Sequence, residues 1–145
     1  MILKIEPLVY ALASIQEVYY PNYLILLSPQ GKRFCQSDVE RLLNKSPNLV
    51  FICGHYEGFD ERILNYVDEQ ISIGDFVTMG GEIPALVITD SLIRAVAGVI
   101  KEESYQQETF SNQGLDFATY TRPQAFESLE VPEVLLSGNH LEIMK

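Results

Sequence analysis

The sequence predicts an α/β protein built on a parallel sheet flanked by helices. Three short apolar runs, Tyr23–Leu27, Leu49–Cys53 and Gln70–Ile73, have the length of buried strands. Each ends in a glycine-bearing loop, at Ser28–Gly31, Gly54–Gly58 and Gly74–Gly81. Helical patterns alternate with these runs, the order that parallel pairing requires. A chain of 145 residues, 47% of them hydrophobic, is long and apolar enough to close one core around such a sheet.

The elements follow in order. Lys4–Glu17 reads as a helix, with Pro7 near its start and Leu8, Leu12 and Ile15 on one face. Tyr23–Leu27 is a strand stopped by Ser28-Pro29-Gln30-Gly31. A second helix is expected from Ser37, where Glu40 completes a capping box and Val39, Leu42 and Leu43 form the buried stripe. Pro47-Asn48 interrupts before the strand Leu49–Cys53. Asp60 suits the N-cap of a short helix reaching about Tyr66, and Gln70–Ile73 supplies the third strand. Pro84 opens a largely apolar helix that Gly98 is expected to end. Polar residues from Lys101 to Gly114 suggest a linker, after which Pro123 and Pro132 punctuate short segments.

Composition narrows the function. The balance of 10 basic against 20 acidic residues gives a net charge of −10, and no Lys/Arg run is present to neutralise phosphates. Taken alone, the chain is a poor nucleic-acid binder and better suited to a cationic ligand. No apolar run approaches the roughly 18 residues of a membrane span, and no secretory signal pattern is visible. Cys35 and Cys53 lack metal-type spacing and are too few for a disulfide framework. A cytosolic (cytoplasmic) protein is expected.

In open α/β sheets, ligands bind beyond the carboxyl ends of the strands. A tight turn explains the glycines of any one loop; three such loops at one edge favour a ligand site. Neither G-x-G-x-x-G nor G-x-x-x-x-G-K-[ST] occurs, so phosphate cradles are not indicated. The second and third loops instead carry Glu57, Asp60, Asp75 and Glu82, with no Lys or Arg before Arg62. An adenosine that bears positive charge and no phosphate, S-adenosylmethionine, suits glycines and carboxylates together. Structural roles compete residue by residue. Asp60 can cap its helix, Tyr56 and Phe76 are expected in the core, and Cys53 suits a small buried hydrophobe. His55 and His140 stand too far apart to suggest a metal pair, and the carboxylates show no metal-ligand spacing, so no metal site is expected. A weaker alternative is a metal hydrolase built on Glu57, Asp60 and Asp75.

Longer motifs are specific. They are Leu27-Ser28-Pro29-Gln30-Gly31, Ile52-Cys53-Gly54-His55-Tyr56-Glu57-Gly58-Phe59-Asp60-Glu61-Arg62 and Ser72-Ile73-Gly74-Asp75-Phe76-Val77. Gly80-Gly81-Glu82-Ile83-Pro84-Ala85, Tyr120-Thr121-Arg122-Pro123 and Val131–His140 complete the set. Together they resemble the bacterial tRNA (guanine-N1)-methyltransferase family over nearly the whole chain.

The resemblance implies the SPOUT methyltransferase fold, with a deep trefoil knot in the sheet, and a homodimer whose active sites form between subunits. It implies S-adenosylmethionine as cofactor, with Mg2+ dependence as a further expectation, and no membrane partner. By motif position the cofactor contacts fall on Leu27, Ser28, Pro29, Gly54, Glu57, Ile73, Gly74, Asp75, Phe76, Val77, Thr78, Gly80, Gly81 and Pro84. The implied reaction is methyl transfer to N1 of the guanosine just 3′ of the tRNA anticodon. Arg94 matches the arginine that stabilises charge on O6. Glu108 stands where the family base is Asp, and Asp116 matches a second acid near the cofactor.

In the family's terms, residues 1–100 form the knotted cofactor-binding core, 101–118 the interdomain linker, and 119–145 the start of a tRNA-binding domain. Family chains extend beyond both ends of this one, so cofactor binding with little turnover is expected. A non-catalytic knotted dimerisation or binding module is the alternative.

Overall fold

A computed structural model describes residues 1–101 and 118–137. The chain divides into two compact units, Met1–Gln113 and Gly114–Lys145. The expected linker lies, apart from its ends, outside the described residues, and so do Glu108 and Asp116.

In the first unit β1 (Tyr23–Arg33) is the middle strand of a three-stranded parallel sheet. It pairs with β2 (Leu49–Cys53) on one side and β3 (Glu69–Ser72) on the other. Helices α1 (Ile5–Val18), α2 (Ser37–Leu43) and α3 (Glu82–Arg94), with a 3-10 helix at Glu61–Tyr66, cover the sheet. The strand's alternating side chains decide which helix lies where. Ile25 and Leu27 pack with Val39 and Leu42 of α2, Ile71 of β3, and Ile88 and Leu92 of α3. Leu24 and Leu26 point the other way, onto Leu12 of α1, Ile52 of β2 and Ile63 of the 3-10 helix. Leu24 to Leu27 are each at most 4% exposed, which is why β1 reads as a continuous apolar run instead of an alternating one.

Several boundaries differ from expectation. The strand expected to end at Leu27 continues to Arg33 after an irregularity: Leu27 and Lys32 both pair with Ile71. The third strand sits one residue earlier, and α3 stops at Arg94, four residues short of Gly98. Ser37 and Glu40 form no capping box, because α2 starts from Gln36 with no side-chain cap. Tyr56 and Phe76 are exposed, not core, since both sit on loops beyond the strand ends.

The first turn of α2 instead carries a buried carboxylate. Asp38 is 2% exposed, and its oxygens accept from Lys32 Nζ at 2.8 Å, Arg41 Nε at 2.9 Å and the Cys35 N–H at 3.1 Å. Arg41 also clamps Glu69 through two bonds of 2.8 Å. Burial opposes ionisation of Asp38, but the donors from Lys32, Cys35 and Arg41 outweigh it and hold the carboxyl well below its usual range. Stability from this group is fully present above the unfolded carboxyl pKa of about 3.9 and drains away as pH falls below it. Asp38→Asn is therefore expected to cost about 1–3 kcal/mol at neutral pH. The gap between the two proteins' urea-unfolding free energies should narrow at pH 3; an unchanged gap would refute the assignment.

The second unit, as described, is a short antiparallel hairpin followed by one helical turn. Strand β4 (Ala125–Phe126) pairs with β5 (Leu129–Glu130), and α4 spans Glu133–Leu136.

Candidate functional site: a cavity at the strand ends

The three loops that leave the carboxyl ends of the strands meet around a cavity of about 450 Å3, within the range of small-molecule sites. Ser28, Pro29 and Gln30 form one wall, Gly54–Phe59 a second, and Ile73, Gly74 and Phe76–Gly81 a third. Leu26, Leu27, Ile63 and Ile71 contribute apolar surface from the sheet and the 3-10 helix.

Close backbone approach shapes this site. Gly81 donates its N–H to the Gly54 carbonyl at 2.8 Å, and a bridge joins His55 to Gly80. A Cβ on Gly81 would lie 2.6 Å from Cys53 Cα, so no other residue fits there without moving backbone. The third loop is thereby stitched onto the start of the second, just before α3 begins. Tyr56 holds a left-handed φ of 60°, a conformation costly to non-glycine residues and one that recurs at functional loops.

The charged lining is acidic. Glu57 and Glu61 face the cavity, and no Lys or Arg is among its lining residues. Glu57 accepts the α-ammonium of Met1 at 2.6 Å. His55 Nε2 sits 2.8 Å from Glu82 Oε1 across the stitched segment. Burial, then the charge of Glu82, pushes the Cys53 thiol up, which keeps it protonated and unreactive. Asp60 caps the 3-10 helix by accepting from the Arg62 N–H at 3.0 Å; the Arg62 side chain draws its carboxyl down to about 2.

Of the residues expected to contact a cofactor, all but Asp75 line the cavity. Asp75 is turned outward and pairs with Arg33 at 2.9 Å. Thr78 lines the cavity, while its hydroxyl donates to the Gly80 carbonyl at 2.7 Å. Arg94 is exposed in the last turn of α3 and does not line the cavity, which sits by the helix's other end. At 1.5 Å per residue those ends stand about 18 Å apart. Gln30, His55, Phe59 and Glu61, which are not among the cofactor contacts expected by motif position, also line the cavity. Their position inside the same glycine-bearing motifs was the available signal. Among the described residues no group of three or more His, Cys, Asp or Glu side chains is placed to hold a metal ion, which counts against the metal-hydrolase alternative.

Comparison with known proteins bears on the same residues. The family model described as tRNA (Guanine-1)-methyltransferase TrmD matches residues 1–145. A tRNA (guanine-N(1)-)-methyltransferase of Mycoplasma mobile is 55% identical over 143 residues, covering 99% of this chain and 71% of the relative. One from Mycoplasmopsis pulmonis is 48% identical over 145 residues, 100% of this chain and 62% of that protein. Another, from Fervidobacterium nodosum, is 48% identical over 143 residues, 99% of this chain and 58% of its own length. The chain thus spans 58% to 71% of the length of these relatives. Because the family model matches all 145 residues of the chain, the chain belongs to the tRNA (guanine-1)-methyltransferase family.

Proposed function

We propose that the chain carries the S-adenosylmethionine site of an enzyme that methylates N1 of the guanosine just 3′ of the tRNA anticodon. The observation that carries this is the cavity itself: glycine-walled, lined by Glu57 and Glu61, and with no Lys or Arg among the described lining residues. A sulfonium and an ammonium suit such a lining; a phosphate does not. The space fits an adenosine-sized ligand, and the backbone crowding at Gly81 supports a cradle that needs bare backbone. When bound, S-adenosylmethionine supplies the methyl group as an electrophile.

The chain's own residues would then manage the proton and the charge. Neutral guanine holds a proton on N1, and Glu108, with Asp116 as a supporting acid, is the base proposed to take it. Both lie outside the described residues. Glu108 is one methylene longer than the family Asp, and loose positioning of a base is costly. Arg94 is proposed to stabilise negative charge that builds on O6. Among the described residues no group of three or more His, Cys, Asp or Glu side chains is placed to hold a metal ion, so the Mg2+ dependence stays a proposal of its own.

A homodimer with sites between subunits accounts for two features. Arg94 stands at the end of α3 far from its own cavity, so a partner's cavity is the one it can serve. The outward face of α3 exposes Ile83, Leu86, Val87 and Ile93, a stripe suited to burial against a second copy. We also propose the deep trefoil knot of the SPOUT fold, with residues 1–100 as its core, 101–118 as linker and 119–145 as the start of a tRNA-binding domain. A tRNA substrate implies the cytoplasm, and no described helix is long and apolar enough to cross a membrane.

Calorimetry with S-adenosylhomocysteine tests the proposal. Saturable one-to-one binding is expected, together with little transfer of radiolabelled methyl to tRNA by this chain alone. No binding to folded protein would overturn it. Binding that never yields turnover, even with the relatives' flanking segments fused on, would favour the non-catalytic module.

A further inference from the structure

The loop Ser28–Gly31 is closed in an unusual way. Its near limb, Ile25–Leu27, pairs with Glu69–Ile71; its far limb, Lys32–Arg33, pairs with Ile71 and Ser72. Both ends therefore converge on one residue, Ile71, and the loop between them forms a wall of the cavity. The near limb is locked by the core, where Ile25 and Leu27 are buried. The far limb is exposed at Lys32 and Arg33, while the next residue, Phe34, is partly buried against that same core.

Polar contacts add to that anchor. Phe34 donates its N–H to the Ser72 carbonyl at 2.8 Å, and Arg33 pairs with Asp75 at 2.9 Å. The Arg33 pair is exposed on both sides and is screened by water. Lys32 differs, because its partner Asp38 is buried and held by α2. From Asp38 the connection continues through Arg41 to Glu69, the first residue of β3. Two cations and two anions balance, and only Lys32 belongs to the loop's limb.

We propose that Lys32, anchored on the buried Asp38 carboxylate, is a positioning residue that fixes the far limb of the Ser28–Gly31 loop and so the shape of the cofactor wall. The inference rests on the S-adenosylmethionine site argued above. Lys32 does not line the cavity and acts only through the loop. A purely structural role makes a different forecast: removing either cation leaves the network one charge short, so Lys32→Gln and Arg41→Gln would behave alike. Positioning separates them, since Arg41 joins α2 to β3 without touching the loop's limb.

The test compares wild type, Lys32→Gln, Lys32→Arg and Arg41→Gln by calorimetry with S-adenosylhomocysteine, by thermal unfolding, and by amide hydrogen exchange without ligand. Lys32→Gln should bind about three- to tenfold more weakly with little change in Tm, as expected for losing one charge-assisted, half-exposed contact. Its Gln30 and Gly31 amides should exchange faster than in wild type. Lys32→Arg should restore both readouts. Arg41→Gln should lower Tm and leave affinity within twofold. Equal affinity and equal exchange in Lys32→Gln and wild type overturn the inference, as does an equal affinity loss in Arg41→Gln. If wild type binds no S-adenosylhomocysteine, the cofactor site fails, and the exchange data alone still decide whether Lys32 holds the loop.

Discussion

Gly31→Ala is expected to unseat the cofactor wall and destabilise the sheet together. A Cβ at this position would lie 2.6 Å from both the backbone carbon and nitrogen of Ile71 and 2.7 Å from the carbonyl carbon of Gln70. These are backbone atoms of a paired strand, so no side-chain rotation relieves the clash. Either the far limb of β1 separates from β3, or β3 shifts and disturbs Ile71, which is 2% exposed in the core. Overpacking of this kind costs about 1–3 kcal/mol, occasionally more, and the upper end applies where backbone must move. Urea denaturation should show the lowered midpoint, and calorimetry should show S-adenosylhomocysteine binding lost. A Gly31→Ala protein with the wild-type midpoint and affinity would disprove the packing argument.

The second large effect concerns chemistry, not folding. In a fusion that adds the remaining segments of the Mycoplasma mobile relative, Arg94→Ala should reduce methyl transfer to tRNA by about 10²–10³-fold, the scale of one donor lost to developing charge. Binding of S-adenosylhomocysteine should stay within about twofold, because Arg94 does not line the cavity. Mixing Arg94→Ala subunits with subunits crippled at Gly81 gives a sharper result. If Arg94 serves the partner's cavity, mixed dimers regain a fraction of wild-type activity; if each chain serves itself, no activity returns.

Much of the site was legible because glycine and strand ends are local signals. The runs before Ser28, Gly54 and Gly74 identified the strands, and the rule for open α/β sheets then placed the loops together. The second leg of β1 was not legible. Lys32 and Arg33 are polar and exposed and follow Pro29 and Gly31, so nothing local distinguishes them from a turn; the pairing with β3 comes from tertiary register. The capping box failed at Ser37 because the turn starts earlier: the Asp38 and Val39 N–H groups already bond the Cys35 and Gln36 carbonyls, which puts Ser37 inside the helix. Phe76 and Tyr56 were expected in the core on aromatic character alone, which carries no information about a loop beyond a strand end. The outward reach of α3 escaped for another reason. An apolar helix shows no single face, so periodicity could not separate Ile88 and Leu92, buried in this chain, from Leu86 and Ile93, which are exposed.

The position of β1 between its neighbours also governs the order of events during synthesis. The strand made first lies in the middle, β2 follows on one side, and β3 completes the other side last. Leu27 must therefore wait for Ile71, its partner in the sheet, through a stretch that takes roughly 2–9 s to translate at ordinary elongation rates. Throughout that interval the buried run Leu24–Leu27 of β1 has an open edge, able to pair with any other extended segment nearby. Synonymous changes that slow translation between β2 and β3 would lengthen the exposure, and nascent-chain aggregation should rise with the delay even though the finished protein is unchanged.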